Sequence, residues 1–331
     1  MTISRAPWLR LRRGGDSWWG VAGTLAALVA TSVAAAALLL HQIATPWKWT
    51  IALTAFSHQL MWAAPVGVLA ALLARRAATA IAACIATLLV GVIQLPPYFA
   101  HGVGARDGRE IVVLQANLEI GSADPVRLTE TVRDRHVDLL ATEELTIDEQ
   151  RRLGDAGLAT VLPHRYTVPL PDGGGGIGIW SRFPLSDTHD LPGYQLGVLT
   201  VRVAVPGAPL TFVAVHLLPP VLESAGVWRT EIANLKTALH GMRASRVLVA
   251  GDFNATVDHA QYRALLHNGY RDAAEATGAG YLPTYPTDRW YGPLIGIDHV
   301  LTRGAASPIS AATMELPGSD HRALLVRAVL T

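Results

Sequence analysis

Asp252 and Asn254 stand at the end of an apolar run, in the stretch Val249-Ala250-Gly251-Asp252-Phe253-Asn254. Two apart in an extended chain, they share a side. A carboxylate and an amide placed so can hold a hard cation, a water or a phosphate oxygen. They can equally make an ordinary Gly-Asp turn. Four further polar clusters bear on the choice: Asn117, Glu143-Glu144, His216 and Asp320-His321. Carboxylates and amides suit Mg²⁺, Mn²⁺ or Ca²⁺. Structural zinc is excluded by the lack of a cysteine or histidine set at ligand spacing. Two histidines beside carboxylates are equipment for proton transfer near neutral pH. Asp298, inside the apolar run 297–301, is a candidate to orient one of them. Metal-assisted hydrolysis of a phosphate ester uses all these parts.

Each residue also has a plain structural use. Glu143 and Glu144 could begin a helix at its positive end. His216 and His299 could be buried, hydrogen-bonded histidines. Arg182 and Arg229 could be solvated or paired with acids, and Tyr166 and Tyr285 could simply pack. What those uses leave unexplained is the recurrence of polar groups at several strand ends.

The elements that must position these residues follow from hydrophobic period. Runs 111–117 and 137–142 read as strands. Between them Asp124-Pro125 starts a helix that reaches about residue 136. This strand–helix–strand unit implies parallel pairing, with both polar strand ends on one edge of the sheet. The glycine loop 172–176 lacks the lysine of a nucleotide P-loop. Runs 196–205 and 210–215 form a hairpin about Pro206-Gly207-Ala208, and the second strand ends at His216. Residues 224–242 form a helix with Trp228, Ile232, Leu235 and Leu239 on one face. A short helix is expected over 258–268, and strands over 297–301 and 323–329.

The 331 residues are 50% hydrophobic, more than one ordinary soluble domain carries. Of the acids, only Asp16 precedes residue 107, and most of the excess apolar residues fall in the first hundred positions. Three runs there, at about 18–40, 50–74 and 77–95, approach the roughly 20 residues that cross a bilayer. Two further runs after the first exclude a cleaved signal peptide. Trp18, Trp19, Trp47, Trp49 and Tyr98 sit at the run ends, where aromatic belts form. Ser57-His58-Gln59, within the second run, suits hydrogen bonding between helices. Arg5, Arg10, Arg12 and Arg13 would share a side with Arg75-Arg76, which puts the amino terminus in the cytoplasm and residues after 100 outside the plasma membrane. No full charge lies deep in the runs, against an ion-coupled transporter. His101 to Arg109 reads as a linker. The mildly acidic remainder, 25 acids against 20 bases, argues against a broad nucleic-acid face. Cys84 stands alone, so no intrachain disulfide forms.

In this order the clusters resemble the endonuclease/exonuclease/phosphatase superfamily, the DNase I-like fold. The matching pieces run from Leu114-Gln115-Ala116-Asn117 and Ala141-Thr142-Glu143-Glu144 through Trp180-Ser181-Arg182-Phe183-Pro184 and Val215-His216. Gly251-Asp252-Phe253-Asn254, Ile297-Asp298-His299 and Ser319-Asp320-His321 complete them. The resemblance implies a two-sheet α/β sandwich, placed at 105–331; the apolar runs before it make 1–104 a membrane anchor of three expected transmembrane helices. It implies Mg²⁺ or Mn²⁺ on Glu144, with Asn117 and Asp320 in support. Asp252 would orient or deprotonate the attacking water, and Asn254 would hold a phosphate oxygen. His216 and His321 would be the catalytic pair, with Asp298 orienting His321. Arg182 is a further substrate-binding candidate. Glu143 departs from the pattern, which commonly has glutamine there. The DNA-binding insertions of repair nucleases are not evident.

The expected protein is an integral membrane phosphoesterase, most simply a phosphodiesterase, acting outside the cytoplasm on a phosphate ester such as a lipid headgroup. An extracellular nuclease and a non-catalytic membrane-bound binding module are the alternatives. The sequence leaves the oligomeric state open.

Overall fold

The computed structural model describes residues 18–100, 107–221 and 225–331. The amino-terminal arginines, the linker from His101 to Arg106 and Ser224 lie outside the described residues.

The chain divides into two units: one comprises 1–39 and 57–93, the other 40–56 and 94–331. Among the described residues, two helices are long and apolar enough to cross a membrane, Trp18–Gln42 and Ala77–Gln94, each mostly in the first unit. The expected middle span differs. It is a bent pair, Lys48–Ala55 and Ser57–Leu73, and counts as a span only if taken as one. The reason is packing: Ile51 and Thr54 are buried, and Ile51 joins an apolar core of the second unit. The first two turns of the run therefore belong to that unit.

Among its described residues the second unit carries twelve strands: β1 (Arg109–Asn117), β2 (Leu139–Glu143), β3 (His164–Val168), β4 (Ile177–Ser181), β5 (Leu185–Asp190) and β6 (Gly197–Val203), then β7 (Leu210–His216), β8 (Arg246–Asp252), β9 (Tyr270–Asp272), β10 (Asp298–Gly304), β11 (Ala306–Met314) and β12 (Ala323–Leu330). They form two six-stranded sheets, β11-β12-β1-β2-β4-β3 and β5-β6-β7-β8-β10-β9. β1 and β2 pair in parallel, as expected, and so do β7 and β8. The helix between β1 and β2 is Pro125–Asp134, capped by Asp124, whose side chain accepts from the backbone N–H of Val126 and Arg127. The helix between β7 and β8 is Ala225–Gly241. The short helix expected over 258–268 contracts to Ala260–Arg263 and a 3₁₀ turn, Ala264–Leu266.

Period two divides each central strand between two cores. Ile111, Val113, Leu139, Ala141, Phe212, Ala214, Leu248 and Ala250 point between the sheets. Val213, Val215, Val247 and Val249 point outward and lie under Trp228, Ile232, Leu235 and Leu239. Val112, Leu114 and Leu140 lie under Leu128 and Val132. The result is a four-layer sandwich, helix on sheet on sheet on helix. The inward rows continue into polar residues at one end: Gln115 and Asn117, Glu143, His216, Asp252 and Asp298. Those ends meet, and the site is the polar terminus of the apolar core.

Gly251 fixes how closely β7 and β8 approach there. A Cβ on Gly251 would collide with the carbonyl oxygen of Val215. Gly251→Ala is expected to destabilise the unit by roughly 2–4 kcal/mol, because backbone rather than a flexible side chain must yield. A denaturant midpoint unchanged from the parent protein would show that β7 and β8 tolerate a wider spacing.

Candidate active site

Asp252 and Asp298 lie directly opposite one another on paired β8 and β10, both buried. Two carboxylates so close require a cation or a proton. His321 supplies the cation. Its Nδ1 lies 2.8 Å from Asp298 Oδ2, and its Nε2 lies 3.8 Å from Asp252 Oδ2. Burial works against a charged ring, yet Asp298 and then Asp252 push the His321 pKa up to about 10. Burial alone would raise Asp298, but His321 beside it holds that carboxyl below its ordinary value. Asp252 moves the other way: burial and the neighbouring Asp298 raise it to about 8.

The turn that delivers His321 is tied down locally. Ser319 Oγ donates to the carbonyl of Asn117 at 2.8 Å and accepts from the His321 N–H at 3.0 Å. On the opposite flank, His216 at the end of β7 puts Nε2 3.8 Å from the same Asp252 Oδ2. Burial, and then the charge on His321, lowers its pKa to about 3, so the ring is neutral. Buried Glu231 accepts the N–H of Leu218 at 2.8 Å and fixes the chain just beyond His216. Asn254, at φ 47°, gives its N–H to Asp252 Oδ1 at 2.8 Å and its side-chain NH₂ to the Leu217 carbonyl at 2.8 Å.

Oxygen ligands gather beside this relay. Glu144 leaves β2 in the left-handed region, at φ 57°, which turns its carboxylate toward the strand ends. It accepts from the Ile120 N–H at 2.8 Å and from Asn117 Nδ2 at 3.2 Å. The same Asn117 NH₂ lies 3.2 Å from Asp252 Oδ2, while its Oδ1 accepts the Glu119 N–H at 3.0 Å. Asp320 Oδ1 lies 3.9 Å from His321 Nε2. Burial raises Glu144, Asp320 and Glu119, and each feels neighbouring acids, Asp288 among those acting on Asp320 and Glu119. Half-buried carboxylates that repel one another beside an amide fit a hard divalent cation. One donor atom from each of Asp252, Asp298 and His321 also falls within a 4.8 Å group. There His321 and Asp298 already bond each other, and a charged ring repels a cation, so the oxygen set fits better.

The structure thus gathers Asn117, Glu144, His216, Asp252, Asn254, Asp298, Asp320 and His321. It does not bring Arg182 to them. Arg182 Nε donates to Asp138 Oδ1 at 2.9 Å, and another guanidinium N–H donates to the Val137 carbonyl. β2 and β4 are antiparallel, with Ser181 paired to Leu139 and Ile177 to Glu143, so Arg182 lies at the far end of the strands.

Sequence reasoning does not single out Gln115, Glu119 and Asp288, and it reads Tyr285 only as a packing residue. Gln115 donates to Asp298 Oδ1 at 2.6 Å and to Glu143 Oε2 at 2.8 Å. Its two-residue spacing from Asn117 was the available signal. Tyr285 sets its ring 4.8 Å from that of His321. Glu119 and Asp288 belong to the acidic mouth and have no sequence signal. The glycine loop also finds its use, since a side chain on Gly176 would strike the carbonyl of Leu145, next to Glu144.

Glu143 is fully buried, and its Oε1 has no hydrogen-bond partner. Burial, and then Asp298, raise its pKa well above 4.5. Above 4.5 the unfolded chain ionises this carboxyl while the folded chain keeps its proton, so its contribution to stability is full at low pH and is lost as pH rises. Glu143→Gln keeps an oxygen for Gln115 and removes that loss. In denaturant titrations with chelator, the variant is expected to match the parent near about pH 4 and exceed it by roughly 1–3 kcal/mol near about pH 8. A difference independent of pH would mean that Glu143 is ionised in the fold.

A family model described as Endonuclease/Exonuclease/phosphatase family matches residues 114–321. No curated protein matches the chain. Among solved structures, D. rerio TDP2 complexed with single strand DNA product is similar, with TM-score 0.57 and 18% identity, over 66% of this chain and 98% of that one. An endonuclease/exonuclease/phosphatase from Beutenbergia cavernae gives TM-score 0.55 and 20% identity, over 67% and 72%. A family protein from Bacteroides thetaiotaomicron gives TM-score 0.52 and 15% identity, over 68% and 100%. At these identities the neighbours establish a shared fold. The family match spans well over half of the chain and takes in all eight gathered residues, from Asn117 to His321, so the chain belongs to the endonuclease/exonuclease/phosphatase family.

Proposed function

We propose that this chain is a membrane-anchored, divalent-metal-dependent phosphodiesterase whose catalytic unit lies outside the cytoplasm. Members of its family are hydrolases of phosphate esters and generally use a divalent metal. The observation that carries the reading is the placement of Asp252 Oδ2 at 3.8 Å from the Nε2 atoms of both His216 and His321. A carboxylate between two imidazoles can take a proton from water on one side of a phosphorus atom while an imidazole serves the other oxygens.

Glu144 and Asp320 would hold Mg²⁺ or Mn²⁺, with Asn117 joining them if its amide turns Oδ1 from the Glu119 N–H toward Glu144; the ion would supply charge neutralisation at the phosphate oxygens. In its ionised form Asp252, made a stronger base by burial and by Asp298, would orient the attacking water and accept its proton. Asp298 fixes the tilt of His321 through Nδ1 and supports its positive charge, leaving Nε2–H to reach the leaving oxygen. As the P–O bond to that oxygen breaks, His321 gives up its proton. His216, neutral, would hydrogen-bond a phosphoryl oxygen, and Asn254, with one amide N–H on the Leu217 carbonyl, would offer its second to the same group. Gln115 holds Asp298 in place from below.

Two apolar helices support an anchor, and an anchored enzyme meets phosphate esters concentrated in lipid headgroups. A nuclease is the second reading, favoured by the fold shared with a neighbour bound to single strand DNA product. The absence of a basic excess in the catalytic unit weighs against it.

The purified chain is expected to hydrolyse bis-p-nitrophenyl phosphate with Mg²⁺ or Mn²⁺ and to stop with chelator. Asp252→Ala and His321→Ala should each lower turnover by roughly 10²–10⁴-fold. Folded protein that turns over no phosphate ester with either metal would favour a non-catalytic binding module. Dispersed phospholipid should be cleaved faster than nucleic acid, and the reverse order would make the nuclease reading the better one.

A further inference from the structure

Residues 40–56 fall between apolar helices in sequence, yet they pack as part of the catalytic unit. Their attachments are buried and directional. His41 Nδ1 lies 2.8 Å from Asp258 Oδ1, with both residues buried. Arg263 donates to the carbonyls of His41 and Val257. His259 Nδ1 accepts the Thr256 N–H at 2.9 Å, so Nε2 carries the proton and donates to the Ile51 carbonyl at 3.0 Å. Ile51 is 0% exposed and shares a core with Trp228, Tyr262 and Leu265.

The other face of this segment is apolar and open. Trp47 and Trp49 are each 72% exposed, Ile43 53% and Leu53 51%. Lys48 sits between the two tryptophans. Bulky apolar groups held outward by a rigid backbone mark a contact surface. Tryptophan beside lysine suits a bilayer interface, where the ring enters the headgroup layer and the ammonium stays in water. Next to the segment, an open groove of ≈ 630 Å³ is lined by Ala44, Arg229, Thr230, Lys236 and Gln261. Its two cations are exposed and suit anionic headgroups.

We infer that Ile43, Trp47, Trp49 and Leu53 form a lipid-contact face built into the catalytic unit, with Arg229 and Lys236 beside it at the headgroup level. This rests on the reading that the apolar helices span a membrane. The face would give the catalytic unit a lipid contact of its own, in addition to the apolar helices.

The test uses the full chain in phosphatidylcholine–phosphatidylserine bilayers and a nitroxide label read by collision with oxygen and with a water-soluble nickel chelate. Cys84, the chain's own cysteine and exposed on helix Ala77–Gln94, carries the first label. A Cys84→Ser background then takes Trp49→Cys, Leu53→Cys and, as a control on helix Pro125–Asp134 over the other sheet, Arg133→Cys at an exposed position. The expected result is an oxygen-to-nickel ratio several-fold higher at Trp49→Cys and Leu53→Cys than at Arg133→Cys, with Cys84 higher still. A nickel-accessible Cys84 would sink the spanning reading and this inference with it. A lipid-buried Cys84 with Trp49→Cys and Leu53→Cys as open to nickel as Arg133→Cys would overturn the lipid-contact face alone. Labels at 49 and 53 shielded from both reagents would mark a protein partner on that face and overturn it too.

Discussion

Two carboxylates that face each other inside an apolar sandwich set the terms for everything around them. Asp252 and Asp298 occupy a paired position on β8 and β10, where neither can keep its charge without help. His321 stands between them and is itself charged only because they are there. Removing one member of such a buried set leaves its partner uncompensated, at a cost of roughly 3–5 kcal/mol. The surrounding structure reads as support for that arrangement. The Ser319 hydroxyl shapes the turn that carries His321, and Gln115 caps the free oxygen of Asp298. The β8–β10 register keeps the two acids opposed.

Fold and site are therefore made from the same rows of residues. Each inward row begins as aliphatic packing and ends in a polar group, so aligning the aliphatic part aligns the chemistry. A one-residue slip of β7 would send His216 to the outer face and Val215 into the site. Beyond the strand ends the chain turns sharply. Glu144, Asn254, Glu119 and Ile120 all adopt positive φ, a conformation that side chains with a Cβ rarely take. Those residues surround the acidic mouth, where backbone strain is exchanged for the direction in which a carboxylate or N–H points.

How much of this was legible in the sequence depended on what each feature rests upon. Gly251-Asp252-Phe253-Asn254 and Ser319-Asp320-His321 are contiguous, so their strings alone announced a strand end and a turn. Asn117, Glu144 and His216 could be read because each closes an apolar run. Arg182 could not be placed that way. It too follows a strand, but only the antiparallel register of β2 and β4 reveals that its end is the far one. Gln115 and Tyr285 gain meaning from partners more than a hundred residues and thirty-six residues away, respectively, which no local window contains. The broken middle span has the same origin: hydropathy registers that Ile51 is apolar, but not that its burial is in the catalytic unit.

The two apolar surroundings of the catalytic unit act on different quantities. Every side chain gathered at the site comes from residues 115–321, on the inward strand rows or in the turns just beyond their polar ends. Ile51 and the bonds from Asp258, His259 and Arg263 lie on the outer side of the second sheet, in the core under helix Ala225–Gly241. A sheet separates the two. A bilayer engaging Trp47 and Trp49, as proposed, would therefore touch none of the groups around Asp252, and lipid contact there would leave the proposed chemistry at the phosphorus unaltered. What it can alter is encounter: the orientation in which the unit meets its substrate and the concentration of substrate it meets. On the proposed reading, the buried relay would account for the reaction and the outward tryptophans for where it takes place.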